Sequence, residues 1–168
     1  MPEPNSIAQA NERDALNGFL DVYRGVVERK VTGLSRADAV KELTPTGLSP
    51  LGVIKHLGWV EYYWFRHCFA GEEVDAPPRE GGDNAVQFRV GPDENAISVL
   101  DFYRSECRHS REVASMARSL DELSTRENPY FGRVNLRWIL IHMVEETARH
   151  AGHLDIIREM IDGDTGYL

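Results

Sequence analysis

Asn135-Leu136-Arg137-Trp138-Ile139-Leu140-Ile141-His142-Met143-Val144-Glu145-Glu146-Thr147-Ala148-Arg149-His150-Ala151-Gly152-His153-Leu154-Asp155 is the stretch on which the reading of this chain turns. Leu136, Leu140, Met143, Val144, Thr147, Ala151, Leu154 and, beyond the run, Ile161 recur at steps of three and four, which is one apolar helix stripe. Asn135 suits the N-cap, and Gly163 lies just past the expected end. His142, Glu146, His150 and His153 ride on this helix as potential metal ligands. Measured from the stripe's centre, His150 sits about 60° away, Glu146 about 100°, His153 about 120° and His142 about 140°. Glu145 and Arg149 are expected to face water. Glu146 and His150 thus share the shoulder of the core, one turn apart, where a carboxylate is costly to bury unless a cation or donor satisfies it. Two ligands at i and i+4 are what one helix needs to offer a single ion two bonds.

Working outward, three more amphipathic segments appear. The first runs from about residue 7 to 31 on Leu16, Phe19, Leu20, Tyr23, Val26 and Val27, after a tail, residues 1–6, expected to fray. Ser35-Arg36-Ala37-Asp38-Ala39 reads as a short capped turn of helix. Ser49 and Pro50 then mark the start of the second long helix, to about residue 69, with Pro in the first position where its missing N–H costs nothing. On that helix His56 falls opposite Lys55 and Arg66, and so faces inward. Residues 71–92 are rich in Gly, Pro and acids. Val86-Gln87-Phe88-Arg89-Val90 alternates like a strand but has no partner, so the segment reads as a loop or partial lid. Asp93 can cap the third helix, whose inner face is expected to carry Ile97, Leu100, Tyr103, Cys107, Ala114 and Ala117. A second connector, 121–134, contains Pro129 and Gly132. The economical architecture is an all-α four-helix bundle with long connectors between helices 2 and 3 and between 3 and 4, and such bundles build metal sites from inward-facing side chains.

Composition sets the outer limits. The chain has 168 residues, 42% of them hydrophobic and 27% charged, as expected of one ordinary soluble domain spanning 1–168. A net charge of −8 without a basic cluster argues against nucleic acid as a partner. No apolar run reaches membrane-spanning length, and the start lacks a signal peptide's pattern. Cys68 and Cys107 stand alone, suit a reducing cytoplasm, and read first as small buried hydrophobes.

From residues alone, the candidate metal set is His56, Glu146 and His150, with His142 and His153 as supporting or rim groups. Three protein ligands leave a coordination position open, as in catalytic sites, and imidazole with carboxylate suits zinc, nickel, iron or manganese. An ordinary reading stands beside it: hydrogen-bonded helix side chains, with Glu146 partnered by an Arg. His67 and His109 carry no role beyond surface or helix end, and Trp59, Trp64 and Trp138 read as core.

The runs Ser49-Pro50-Leu51-Gly52-Val53-Ile54-Lys55-His56-Leu57 and 136–153 resemble the DinB-like metal-binding superfamily. Within it the chain looks most like an actinobacterial branch of unknown function related to mycothiol-dependent maleylpyruvate isomerase. The resemblance implies a bundle holding a divalent metal, usually zinc or nickel, through a His on the second helix and two ligands four residues apart on the fourth. His56 and His150 match the first and last of these. Glu146 stands where many DinB-like members have His and where the isomerase branch has Glu. Members of known activity are mostly thiol transferases or isomerases using mycothiol, bacillithiol or glutathione. The expected function is therefore a metal-dependent enzyme that activates a low-molecular-weight, mycothiol-like thiol for transfer to, or isomerisation of, a small electrophile. The alternatives are a hydrolase using metal-bound water and a non-enzymatic metal-binding bundle. The expected partners are a thiol and an electrophile, with a homodimer as the candidate assembly and with neither nucleic acid nor membrane.

Overall fold

The computed structural model describes residues 7–165, so the tail expected to fray at 1–6 lies outside the described residues. Four long helices dominate. These are α1 (Glu12–Val31), α3 (Pro50–Glu61) continuing as a π-helix over Tyr62–Ala70, α4 (Ala96–Met116) and α5 (Leu136–Asp162). A single helical turn, α2 (Arg36–Ala39), lies between α1 and α3. Among the described residues there is no strand, only isolated bridges such as Asn128 with Gly132. The fold is the all-α bundle expected. No helix among the described residues is long and apolar enough to cross a membrane.

The ends of the helices follow from local chemistry. Ser49 accepts a hydrogen bond from Gly52 N with Pro50 behind it, and Asn135 accepts one from Trp138 N. Gly163 ends α5 in the left-handed conformation (φ 78°) that an L side chain rarely adopts. The third helix begins two residues later than expected: Asn95, not Asp93, caps it. Asn95 and Ser98 form a reciprocal capping box, which satisfies two orphan backbone donors at once. Phe19 and Ile97, assigned inward from periodicity, are exposed.

The core forms two apolar clusters stacked along the bundle. One gathers Leu20, Trp64, Phe65, Val113, Leu136, Leu140 and Met143; the other gathers Val27, Leu51, Ile54, Leu57, Val99, Tyr103 and Leu154. On every long helix a buried polar residue separates the two: Arg24 on α1, Glu61 at the end of α3, Ser110 on α4 and Glu146 on α5. The bundle therefore has a polar waist. There Arg24 bonds Glu61 through Nε (2.8 Å) and Nη2 (2.6 Å), and Glu146 faces the histidines described next.

The connectors are tied down rather than loose. Thr125 N and Arg126 N donate to the Phe69 and Cys68 carbonyls, which closes the end of the π-helix. Residues 85–88 form a 3₁₀ turn instead of the strand-like stretch that their alternation suggested. That turn packs on α3 at Gly52, where a Cβ would collide with the Phe88 carbonyl oxygen, so only glycine lets the two backbones approach.

Candidate metal centre

His56 from α3 and Glu146 and His150 from α5 meet at the waist. All three are at least 95% buried, with exposures of 3%, 5% and 4%. Nε2 of His56 lies 3.1 Å, and Nε2 of His150 3.3 Å, from the same carboxylate oxygen, Oε1 of Glu146. Within this group one ligand atom from each residue lies within 4.8 Å of the others, so the three could hold a metal ion. Donors about 2.1 Å from an ion, at tetrahedral or octahedral angles, are separated by about 3.0–3.4 Å. The two distances to Oε1 fall in that range.

The hydrogen-bond pattern around His56 sharpens the test. Gln87, in the 3₁₀ turn, donates Nε2 to the Pro78 carbonyl (3.1 Å) and so turns Oε1 toward His56 Nδ1 (3.1 Å). Nδ1 must then carry a hydrogen. In the neutral ring that leaves a bare lone pair on Nε2 aimed at a carboxylate oxygen, which is repulsive. A proton on Nε2 or a cation where the donors converge removes the repulsion, and a second imidazole nitrogen, Nε2 of His150, aimed at that oxygen favours the cation. Burial pushes the His150 imidazole below its ordinary range, against the pull of Glu146, and so favours the neutral form that ligates metals. Burial alone would raise the Glu146 carboxyl, but its close polar contacts with His150, His56 and Arg149 outweigh it and hold the group well below the usual carboxylate range. The residues present fit a divalent cation. The arrangement is reinforced by Phe88, stacked on the His56 ring at 4.0 Å and 17°.

Another residue of α5 lies differently from the sequence reading. Arg149, expected to point into water, keeps a half-exposed stem but folds its guanidinium back onto Oε2 of Glu146. The carboxylate thus has an arginine partner on one oxygen and imidazoles on the other. His153 sets its Nδ1 3.4 Å from Nδ1 of His150. His142 touches none of the three. Its ring stacks on Trp138 (5.1 Å, 25°) and meets Trp64 edge-on (5.2 Å, 75°).

A cavity of about 550 Å³ opens over the cluster. His56, Gln87, Glu146 and Arg149 lie at its base, and its walls include Trp59, Tyr63, Trp64, His67, Tyr130, Phe131 and His142. The connector supplies Tyr130 and Phe131 because Asn128 Oδ1 accepts from both their backbone N–H groups, while its Nδ2 donates to the Tyr63 hydroxyl (3.0 Å). His67, on the same side of its helix as His56 but given no role from the sequence, stacks on Tyr63 and lines this wall. The cysteines take no part: both are buried, and burial pushes both thiols up, that of Cys107 further.

Residues 15–163 match the family model for mycothiol-S-transferase. The chain belongs to this family. The match covers nearly the whole chain and agrees with the DinB-like resemblance carried by the runs around His56 and His150. No curated protein matches the chain. Membership of the mycothiol-S-transferase family, together with the His/His/Glu cluster, supports a metal-dependent enzymatic role in thiol chemistry.

Proposed function

We propose that the chain holds one divalent ion, zinc or nickel, through His56, Glu146 and His150. We propose further that it joins a mycothiol-like thiol to a small electrophile in the cavity above. The observation that carries this reading is the pair of imidazole Nε2 atoms 3.1 and 3.3 Å from one buried carboxylate oxygen, at the floor of a cavity large enough for small molecules. A bound divalent ion would supply a Lewis-acid position that favours thiolate over thiol, since three protein ligands leave room for one more. The chain's own residues do the rest. Gln87 fixes the tautomer of His56, and Arg149 occupies Oε2 of Glu146 and leaves Oε1 for the ion. The aromatic wall offers flat faces to an acceptor and keeps water from the sulfur. Cys68 and Cys107 are buried away from the cavity, so the thiol comes from outside the protein.

The test uses protein purified without a histidine tag. Its metal content is measured, and mycothiol is then supplied with monobromobimane. Thiol consumption that stops with chelator and returns with zinc or nickel supports the reading. Metal-loaded protein that leaves the thiol untouched yet hydrolyses an ester or amide replaces thiol transfer with hydrolysis by metal-bound water.

A further inference from the structure

Three imidazoles beyond the ligands come near this region, and two are engaged elsewhere. His153 turns to His150, and His67 stacks on Tyr63 with Nδ1 toward the Val74 carbonyl at 3.4 Å. His142 is left. It lies one turn before Glu146 on the same helix, so the two side chains are neighbours at i and i+4, and both line the cavity. Its ring is held in place by the stack on Trp138 and the edge contact with Trp64, themselves 5.0 Å apart. Nδ1 lies 3.4 Å from Oε2 of Glu145, an ion-pair distance on the side of the ring away from Nε2. Nε2 has no hydrogen-bond or ion-pair partner among the described residues, and the side chain keeps 28% of its surface open. This is a fixed imidazole with a free basic nitrogen, in reach of whatever occupies the cavity. Tyr63, across the cavity, is a poor substitute, because burial pushes its hydroxyl up to about 12.

We infer that His142 is the proton-transfer group of this site, taking the thiol's proton at Nε2 and returning it to the acceptor. The inference rests on the thiol-transfer reading above and adds to it the fate of the proton. With an α,β-unsaturated ketone as acceptor, the S–H bond breaks and its proton passes to Nε2. A sulfur electron pair forms the S–C bond at the β carbon. The C=C pair moves to the enolate, and Nε2–H then protonates the α carbon. Thiol and ketone become one thioether, with no oxidant, reductant or further reactant. The charged groups near His142 are Glu145 and Arg149 on its own helix, Glu146 one turn on, and Glu127 and Arg79 in the cavity wall. Oε2 of Glu145 lies beside Nδ1, and none of the others forms a hydrogen bond or ion pair with the ring among the described residues.

The experiment has one arm that does not read turnover. Mycothiol binding to metal-loaded protein is followed by calorimetry in two buffers of different ionisation heat, which counts protons released. Wild type should keep the thiol's proton, and His142→Gln should release it to the buffer. Wild type releasing a full proton overturns the inference whether or not the variant folds. The second arm compares transfer to methyl vinyl ketone, which must be protonated, with transfer to monobromobimane, whose bromide leaves without a proton. In His142→Gln the ketone-to-bimane rate ratio should fall by about 100-fold, the lower end for a general acid. In His142→Ala, added imidazole should restore it. An unaltered ratio in the variants, with wild type active on both acceptors, overturns this inference alone. A wild type that binds mycothiol but transfers it to neither acceptor overturns the thiol-transfer reading and this inference with it.

Discussion

Gln87→Ala should weaken the metal site without touching a ligand. Gln87 is 5% exposed, and its Oε1 accepts the only hydrogen that His56 can place on Nδ1. Removing it leaves that N–H buried without a partner, at a cost of about 1–3 kcal/mol. Loss of an outer partner of a ligating histidine lowers metal affinity about 10–100-fold, which is about 1.4–2.7 kcal/mol, so two independent routes give one magnitude. Competition for zinc against a chromogenic chelator reads the affinity directly. Gln87 also donates to the Pro78 carbonyl, so the alanine variant could act by loosening the loop instead. Gln87→Glu separates the two effects, because it keeps an acceptor for His56 and loses the donation to Pro78. Gln87→Glu should bind zinc at least as tightly as wild type. Equal weakening in both variants, or none in Gln87→Ala, would refute the tautomer argument.

The remaining expectations concern the ligands, the waist and the thiols. His56→Ala, Glu146→Ala and His150→Ala should each lose stoichiometric metal by elemental analysis, while His153→Ala keeps it; the reverse pattern for Glu146 and His153 contradicts the assignment. Arg24→Ala leaves Glu61, 1% exposed, without the arginine that satisfies both its oxygens. Stranding a buried charge in this way costs about 3–5 kcal/mol, or roughly 6–20 °C in Tm for a chain of this size. Replacing Arg24 by Met and Glu61 by Leu together should recover most of the loss, and a single Arg24→Ala variant melting like wild type would show that the pair is not desolvated. Cys68 and Cys107 should resist iodoacetamide in the native protein at pH 8 and react fully in denaturant, since burial pushes both thiols up. Rapid native labelling at pH 8 refutes that burial.

Much of the site was legible because α5 is long and strongly periodic. Phase alone placed Glu146 and His150 on one shoulder, and the wet side marked by Lys55 and Arg66 turned His56 inward. What phase could not supply is where a flexible side chain ends. Arg149 leaves the helix on its wet side, yet its guanidinium returns to Glu146, because a long stem separates the charge from the direction of the Cβ. Gln87 was out of reach for another reason. Alternation over 86–90 is a local signal, whereas the turn's conformation is set by what it packs on: Gly52 beneath it, His56 beside it and the Pro78 carbonyl behind it. The Asn95-x-x-Ser98 box was present as a cap signal, and the nearer Asp93 obscured it.

The π-helical winding of Tyr62–Ala70 has a consequence for how such a protein could diversify. His56 precedes it, and Trp64 and His67, which form part of the cavity wall, follow its start. Winding with i→i+5 bonds holds one residue more than ordinary helix needs, and one residue corresponds to about 100° of rotation. Deleting Tyr62 should therefore restore regular winding, with His56 and the flanking helix left in phase while the residues of the stretch itself, which line the wall, take new directions. Such a variant is expected to keep its metal and change its preference among electrophiles, and loss of the metal would show that the two are not separable. A single codon gained or lost in this stretch is thus a route by which descendants of one scaffold could exchange acceptors while inheriting the same metal ligands.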